Sequence, residues 1–444
     1  MFAGQAAHAL SLREAIDKAL NEHPQVTAAQ ENLKASEYRL DQSNAAVLPS
    51  IGLEADIGKQ FVDRPQSLSA TNNARWWVRR QATVTGSLVL FDGLQRANAI
   101  YRDSAHVDAA SQQVVAKAEA LALSVVEAYI DHRRHQYLLS LADENIQNHW
   151  KILKLTRERY AGGKGLQSEV DQVQERLFAA QAVRAEIQTA AYEADAKFKS
   201  AVGVEPTRTQ PVGYPIEMPA TRQAAINLAR ADNPTLAASD AEADAYDYEY
   251  ARTKAELFPT VSLEGSAQVG QDLNAIPGRN NDYSVKLKLS WQLYDGGLRN
   301  ARVGEASANA AEARLKHDLE MRNITQSIET TFGKLAATQE RLDAIKKQVD
   351  AAKRVVASYQ SEYVASKRSL LDLLDAENAV FSSRFELASV TSVRLYSAYL
   401  LKALTGTLLS SMGLSAPAAQ VEYRNLFLTG DTLKPLKIEP LRTQ

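Results

Sequence analysis

Four stretches of the chain alternate apolar and polar residues with period two. Ile51, Leu53, Ala55 and Ile57 alternate with Ser50, Gly52, Glu54 and Asp56. Trp76, Val78, Ala82, Val84, Leu88 and Leu90 share one side, interrupted by Arg80, against Trp77, Arg79, Gln81, Thr83, Thr85 and Ser87. Val261, Leu263, Ala267 and Val269 oppose Ser262, Glu264, Ser266 and Gln268. The fourth runs Tyr283, Val285, Leu287, Leu289, Trp291 and Leu293 against Ser284, Lys286, Lys288, Ser290, Gln292 and Tyr294. Period two predicts strands over 50–58, 75–91, 260–269 and 283–294, each with one apolar and one polar face. A polar loop is expected from Lys59 to Asn73.

The remaining segments read as helix. Ser11 and Glu14 form a capping box, and a helix is expected over 11–47, bent or restarted at Pro24 and stopped by Pro49. No proline occurs between Pro65 and Pro206, nor between Pro277 and Pro417. Proline in a helix interior costs about 3 kcal/mol, so these spans are open to very long helices. They are predicted at 94–160 and 297–363, after the turns Asp92-Gly93 and Asp295-Gly296. At 1.5 Å per residue each would run roughly 100 Å. Glycines 162, 163 and 165 stop the first, and return helices follow at 168–201 and 369–406.

The plan occurs twice. Ala15, Ile16, Ala19 and Pro24 recur as Ala225, Ile226, Ala229 and Pro234, an offset of 210. Beyond the strands the offset becomes 203, so that Asp92-Gly93 maps to Asp295-Gly296, Tyr160 to Tyr363 and Lys164 to Lys367. The difference falls between the strands, where a loop changes length cheaply. The chain therefore reads as two structural repeats. The first, 11–219, closes on a Pro- and Gly-rich linker at 203–219. The second, 220–414, opens with a helix at 221–257. Residues 415–444 would form a C-terminal strap.

Two-faced strands of about 10 tilted residues match the apolar core of a bilayer. Four cannot close a barrel, and open strand edges cannot face lipid. Three chains would supply 12 strands around a water-filled lumen. The predicted fold class is thus mainly α with a transmembrane β-barrel portion, the barrel continued by a tube of helical hairpins. Composition narrows the function classes. At a net charge of −2 the composition calls for no polyanion-binding surface, and no nucleic-acid partner is expected. Cysteine is absent, which removes disulfides, thiolate chemistry and lipidated Cys. No run of 18 apolar residues marks a transmembrane helix. Ala7-His8-Ala9 has the small-x-small form of an export cleavage site but lacks the charged and apolar parts. It reads either as a chance alanine-rich start or as the remnant of a trimmed signal.

One dense motif, Tyr363-Val364-Ala365-Ser366-Lys367-Arg368-Ser369-Leu370-Leu371-Asp372-Leu373-Leu374-Asp375-Ala376-Glu377, joins the double repeat and the two Asp-Gly junctions. In these features the chain resembles the TolC family of outer-membrane efflux and type I secretion channels, over nearly all of Ser11 to Leu414. The resemblance implies a homotrimer with a 12-stranded barrel in the outer membrane and a helical tunnel across the periplasm. An inner-membrane transporter and a periplasmic adaptor would dock at the turns near 161–167 and 364–369. Substrate would pass without chemistry or cofactor, through an iris-like gate. Carried over residue by residue, Tyr363 and Arg368 match the positions that make the gate links, and Ser168 and Glu169 those that receive them. The glutamate keeps the family's charge there but changes its reach. Asp372 and Asp375 match the acidic constriction. Three apart, they share a helical face. In a trimer they would make two stacked rings that raise some of their pKa values and draw cations into the mouth.

Trp76, Trp77 and Trp291 near strand ends suit an interfacial belt, although buried structural aromatics would read alike. His132 and His135 are expected to be surface residues and not metal ligands. Gly162-Gly163-Lys164-Gly165 lacks phosphate-loop spacing, and no catalytic signature appears. The competing class is a soluble coiled-coil scaffold or adaptor with a peripheral sheet. It would account for the helices and leave the four two-faced strands unexplained.

Overall fold

The computed structural model describes residues 9–63, 73–206 and 208–417. In chain order the elements are α1 (Leu12–Glu22), α2 (Pro24–Ala45), β1 (Ser50–Val62), β2 (Arg75–Phe91), α3 (Gln95–Ala161) and α4 (Gln167–Val202). Then come α5 (Arg222–Asp232), α6 (Pro234–Ala255), β3 (Thr260–Gln271), β4 (Arg279–Ser290), α7 (Leu298–Val364), α8 (Leu370–Leu404) and the single turn α9 (Leu408–Ser411). Two compact units cut across the sequence halves. One holds the strands, within residues 32–110 and 238–318. The other holds the helical hairpin turns, within 111–237 and 319–417.

In the strand unit, β1-β2-β3-β4 form one antiparallel sheet, leaving β1 and β4 as its edges. The register aligns like with like. Leu53 faces Val84, Val84 faces Ala267, and Leu263 faces Leu287. One face is therefore mainly apolar, with Ile51, Leu53, Ile57, Val285, Leu287 and Leu289 all exposed. The other face is a polar ladder. Ser50 and Ser87 meet at 2.9 Å, Ser266 and Ser284 at 2.8 Å, and Arg79 pairs with Asp56 at 3.0 Å. Glu264 holds Lys286 and Lys288 at 3.3 and 3.1 Å.

Strand bounds differ from the periodicity. β1 runs to Val62 rather than to 58, because Lys59 through Val62 go on pairing with Val78 through Arg75. The polarity of Lys59 and Gln60 resembles a loop, yet the chain there is still laddered. The Phe61 and Trp76 rings meet across the strands with centroids 5.6 Å apart, tilted by 59°. β3 likewise reaches Gln271 rather than 269. β4 starts at Arg279 rather than 283 and ends at Ser290 rather than 294. Its partner β3 begins at Thr260, opposite Ser290, so alternation beyond Ser290 has no strand in this chain to pair with. Residues 64–72, most of the expected loop, lie outside the described residues, as do residues 1–8, which hold most of the candidate cleavage site, and 418–444, which hold most of the expected strap.

The Asp-Gly junctions show why they recur. Asp92 accepts from the Arg96 backbone N–H at 3.2 Å and pairs with its guanidinium at 2.6 Å. Asp295 does the same for Arg299, at 3.2 and 2.7 Å. Each aspartate thus caps a long helix and fixes the first-turn arginine. Gly93 and Gly296 have φ of 66° and 70°, a left-handed turn that a side chain resists. A Cβ on Gly93 would come within 2.7 Å of Phe258. Leu94 and Gly297 also have positive φ, so the helices start one residue later than 94 and 297.

Among the helices, His23 takes an extended conformation and Pro24 opens α2, so the expected helix 11–47 is two helices, ending at Ala45. α5 and α6 divide the same way. The Asn233 side chain accepts from the Thr235 and Leu236 N–H groups at 2.9 and 3.2 Å, and α6 ends at Ala255 rather than 257. α4 spans 167–202 rather than 168–201. Ser369 caps α8 instead of belonging to it, accepting from Asp372 N at 3.2 Å. At the other end α8 stops at Leu404, ahead of Gly406 with φ 68°.

Ile16, Ala19, Val125, Tyr129 and Phe198 fill one core of the unit that holds the helical hairpin turns. Tyr129 donates to the carbonyl of Leu10 at 2.7 Å and lies 2.9 Å from that of Gln210. Glu119 is buried here and receives the Leu409 N–H at 3.2 Å. Burial pushes its carboxyl up to about 7.

Candidate functional site

The two helix turns share one backbone solution. α3 ends with Lys164 N–H on Arg159 O at 2.9 Å and Gly163 N–H on Tyr160 O at 3.0 Å. α7 ends with Lys367 N–H on Glu362 O at 2.9 Å and Ser366 N–H on Tyr363 O at 3.0 Å. Both are Schellman caps with a left-handed residue, Gly163 at φ 68° and Ser366 at φ 59°. Between the turns lies an apolar plug made by Ile152, Leu153, Val170, Val173, Leu177, Leu370, Leu373 and Leu374.

Tyr363 belongs to that plug and is only 1% exposed. Its hydroxyl lies 3.3 Å from Thr156 Oγ1. Arg159, a residue that the sequence reading passed over, stacks on the Tyr363 ring with 4.5 Å from Cζ to centroid. It donates to the Tyr363 carbonyl at 2.5 Å, to Val364 O at 3.4 Å and to Ser366 Oγ at 3.3 Å. It also reaches Lys164 O at 3.4 Å, in its own turn. One guanidinium therefore answers the exposed carbonyls at the C-terminal ends of two long helices. The signal was available: a basic residue in the last helical turn, placed where the second repeat has Glu362.

Arg368 stays within its own turn. It donates to Glu362 Oε2 at 2.9 Å, stacks on Tyr359 at 4.2 Å and lies 3.8 Å from Asp372 Oδ2. The hydrogen bond from Arg368 holds the Glu362 carboxyl below the usual glutamate range. Glu169 Oε2 accepts from the Leu166 N–H at 3.3 Å, closing the first turn of α4. Ser168 is exposed. Within one chain the structure thus brings Tyr363 to Thr156 and Arg159, and Arg368 to Glu362. Neither meets Ser168 or Glu169 among the described contacts. Asp372 is half-buried and Asp375 exposed at the start of α8.

One expectation is corrected, and one left open is decided. His132 and His135 are buried, not on the surface. His132 Nδ1 lies 2.6 Å from Asp195 Oδ1, and His135 Nδ1 lies 2.9 Å from Asp131 O. The spacing showed a shared helix face without showing that α4 covers it. Trp77 is 7% exposed and packs with Val62 and Ala275, because it stands on the face opposite Trp76. Trp76 and Trp291 remain exposed at opposite strand ends.

A family model described as "Outer membrane efflux protein" matches residues 15–204 and 225–407. The outer membrane efflux protein BepC of Brucella suis is 24% identical over 417 residues, which is 91% of this chain and 87% of that one. The alkaline protease secretion protein AprF of Pseudomonas aeruginosa is 26% identical over 395 residues, covering 86% and 81%. The crystal structure of the outer membrane protein VceC from Vibrio cholerae superposes with a TM-score of 0.76 at 20% identity, covering 91% of this chain and 97% of that one.

Proposed function

This chain belongs to the outer membrane efflux protein family and is an outer-membrane channel protein; from that premise we propose how its pieces make a gated duct. Three copies join β4 of one chain to β1 of the next, and their four-stranded sheets close into one barrel of 12 strands. The apolar face meets lipid, and the ladder of serines, Gln81, Gln268 and paired charges lines the water. The helices line a periplasmic tunnel whose entrance is the pair of turns around Gly163 and Ser366. A periplasmic adaptor and an inner-membrane transporter engage these turns and open them. The relatives' names include both efflux and protease secretion, and cargo of either kind would cross without chemistry.

The observation that carries this reading is the sheet itself. It has one face on which Ile51, Leu53, Ile57, Val84, Leu263, Val285, Leu287 and Leu289 are exposed, and two edges without a strand partner among the described residues. A soluble scaffold would leave both bare, and unpaired strand edges invite association. Closing the sheet on further copies satisfies the edges and puts the apolar face in lipid. Protein extracted in detergent should have the mass of a trimer by light scattering and conduct ions in planar bilayers. A stable monomer in detergent-free buffer would end this reading.

At the gate, Tyr363 and Arg368 make the closing links and Ser168 and Glu169 receive them; Tyr363 is buried within its own chain, so any reach to a neighbouring copy falls to Arg368. Arg159 and Thr156 seat Tyr363 for that role. Asp372 and Asp375 form the acidic constriction, where three copies set carboxylates around one axis and attract cations.

A further inference from the structure

The two faces of the sheet treat their cations differently. On the polar face Arg79, Lys286 and Lys288 all have carboxylate partners. On the apolar face the register brings Arg80 opposite Gln271, and Gln271 opposite Arg279. Three strands thus carry Arg-Gln-Arg in one row. Lys59 stands on the same face of β1, opposite Val78 and one pleat from Ile57, the partner of Arg80. All of these side chains are exposed. Lys59, Arg80 and Arg279 have no ion-pair partner among the described residues.

The row has a definite depth. β1 and β2 meet their loop at Val62 and Arg75, and β3 and β4 meet theirs at Gln271 and Arg279. The opposite strand ends lead into the long helices. Below the row on the same face lie Leu53, Val84, Leu263 and Leu287, which carry no charge. Above it the rings of Phe61 and Trp76 pack together. An unpaired arginine is costly in the middle of a bilayer and tolerated at its interface, where aromatic rings also gather. The cations therefore sit at the headgroup level of the leaflet on the loop side.

We propose that Lys59, Arg80 and Arg279 form a docking surface for the phosphate groups of a phosphorylated glycolipid in the outer leaflet. The inference rests on the barrel reading above, which makes the loop side the outer side. Neighbouring strands are about 4.8 Å apart, so Arg80 and Arg279 stand roughly 10 Å apart, with Gln271 between them as a neutral donor. Arginine suits the task because its planar fork meets two phosphate oxygens at once. The apolar surface directly below accepts the acyl chains of the same molecule. In the closed trimer the edges β4 and β1 adjoin, so Arg279 of one copy and Lys59 of the next complete a ring of such sites.

The test uses the detergent-solubilised trimer and purified lipopolysaccharide, with retained lipid read by native mass spectrometry. The triple variant Lys59→Gln, Arg80→Gln, Arg279→Gln should bind roughly a hundredfold more weakly. Arg80→Gln alone should show a smaller loss in the same direction, which keeps the test open if the triple variant does not assemble. Lys286→Gln with Lys288→Gln, on the polar face, should bind as wild type. Enzymatically dephosphorylated lipopolysaccharide should bind the wild type as weakly as intact lipid binds the triple variant. Equal binding by wild type and Arg80→Gln trimers overturns the proposal while leaving the barrel standing. So does equal wild-type affinity for phosphatidylglycerol, which would reveal a general anion preference. Failure of the wild type to form a detergent-dependent trimer would instead remove the barrel itself.

Discussion

The two hairpin turns follow the same backbone path and differ in where their charges go. In the first, Arg159 reaches out of its own turn to the carbonyls of Tyr363 and Val364. In the second, the equivalent position is Glu362, and Arg368 closes back on it at 2.9 Å. The first turn has Gly165 where the second has Arg368, and within its own turn Arg159 meets only the Lys164 carbonyl among the described contacts, at 3.4 Å. A duplicated hairpin has thus become two parts with different tasks. One turn supplies a cation that ties the pair together. The other satisfies itself through Arg368 and Glu362 and carries two carboxylates, Asp372 and Asp375, at the start of α8.

The most direct way to break this arrangement is Arg159→Ala. It removes charged hydrogen bonds to two helix ends and the stack on Tyr363, a local loss of about 2 kcal/mol. Amide exchange over residues 363–367 should quicken roughly thirtyfold, and the closed-channel conductance should rise. Arg159→Lys keeps the charge but not the fork, and should recover only part of both. Unchanged exchange in the Ala variant would show that the turns are held apart from Arg159.

The acidic face is next in size. Replacing Asp372 and Asp375 by Asn should weaken block of the pore by divalent cations on the order of tenfold, about 1.4 kcal/mol. Glu169→Gln lies at the position equivalent to Asp372, but its carboxylate is occupied with the Leu166 N–H. It should leave block nearly unchanged. Equal effects in single-channel recordings would erase the difference between the turns.

A smaller effect separates the turns by pH. Arg368 lowers the Glu362 pKa below its ordinary 4.5, so the pair's contribution is fully present above pH 4.5. It is lost as pH falls through the lowered folded value. Acidification should therefore loosen the second turn before the first, since Arg159 leans on carbonyls that do not titrate. Arg368→Glu should raise closed-state conductance at neutral pH by putting two like charges in one turn. Exchange at residues 160–166 and 363–369, followed from pH 6 downward, would expose any simultaneous loosening and so refute the distinction.

Much of this was legible from sequence because it depends on local rules. Period-two alternation reveals a two-faced strand whatever surrounds it, and Asp92-Gly93 and Asp295-Gly296 carry their own capping chemistry. What escaped depends on partners distant in sequence. Val62 is strand only because Arg75 pairs with it, and 291–294 leave the ladder because β3 starts opposite Ser290. His132 is buried because Asp195 and Phe198 on α4 come to it. Arg159 sits in an ordinary basic last turn, and its role depends on a tyrosine 204 residues later. Tyr363, Arg368, Asp372 and Asp375 were named through a resemblance in one motif. The contacts of Tyr363 with Thr156 and Arg159 could not be read from that motif, because it says nothing about the opposite turn.

The smallest effect concerns the backbone that the turns share. Gly163 takes its left-handed φ of 68° freely, with nothing within 4 Å of an added Cβ. Ser366 takes a φ of 59° against the preference of any residue with a side chain, at a cost of roughly 1 kcal/mol. Ser366→Gly should therefore relieve strain, although it also removes the hydroxyl that accepts from Arg159 at 3.3 Å and frees more unfolded-state entropy. The net change should fall within about 1 kcal/mol of zero. Gly163→Ala meets no clash and should destabilise by about 1 kcal/mol from φ alone. The comparison is sharpest in an Arg159→Ala background, where the hydroxyl has already lost its donor. There Ser366→Gly should be stabilising in thermal melts of the trimer. A destabilising result would mean that Ser366 holds the second turn through a contact other than Arg159.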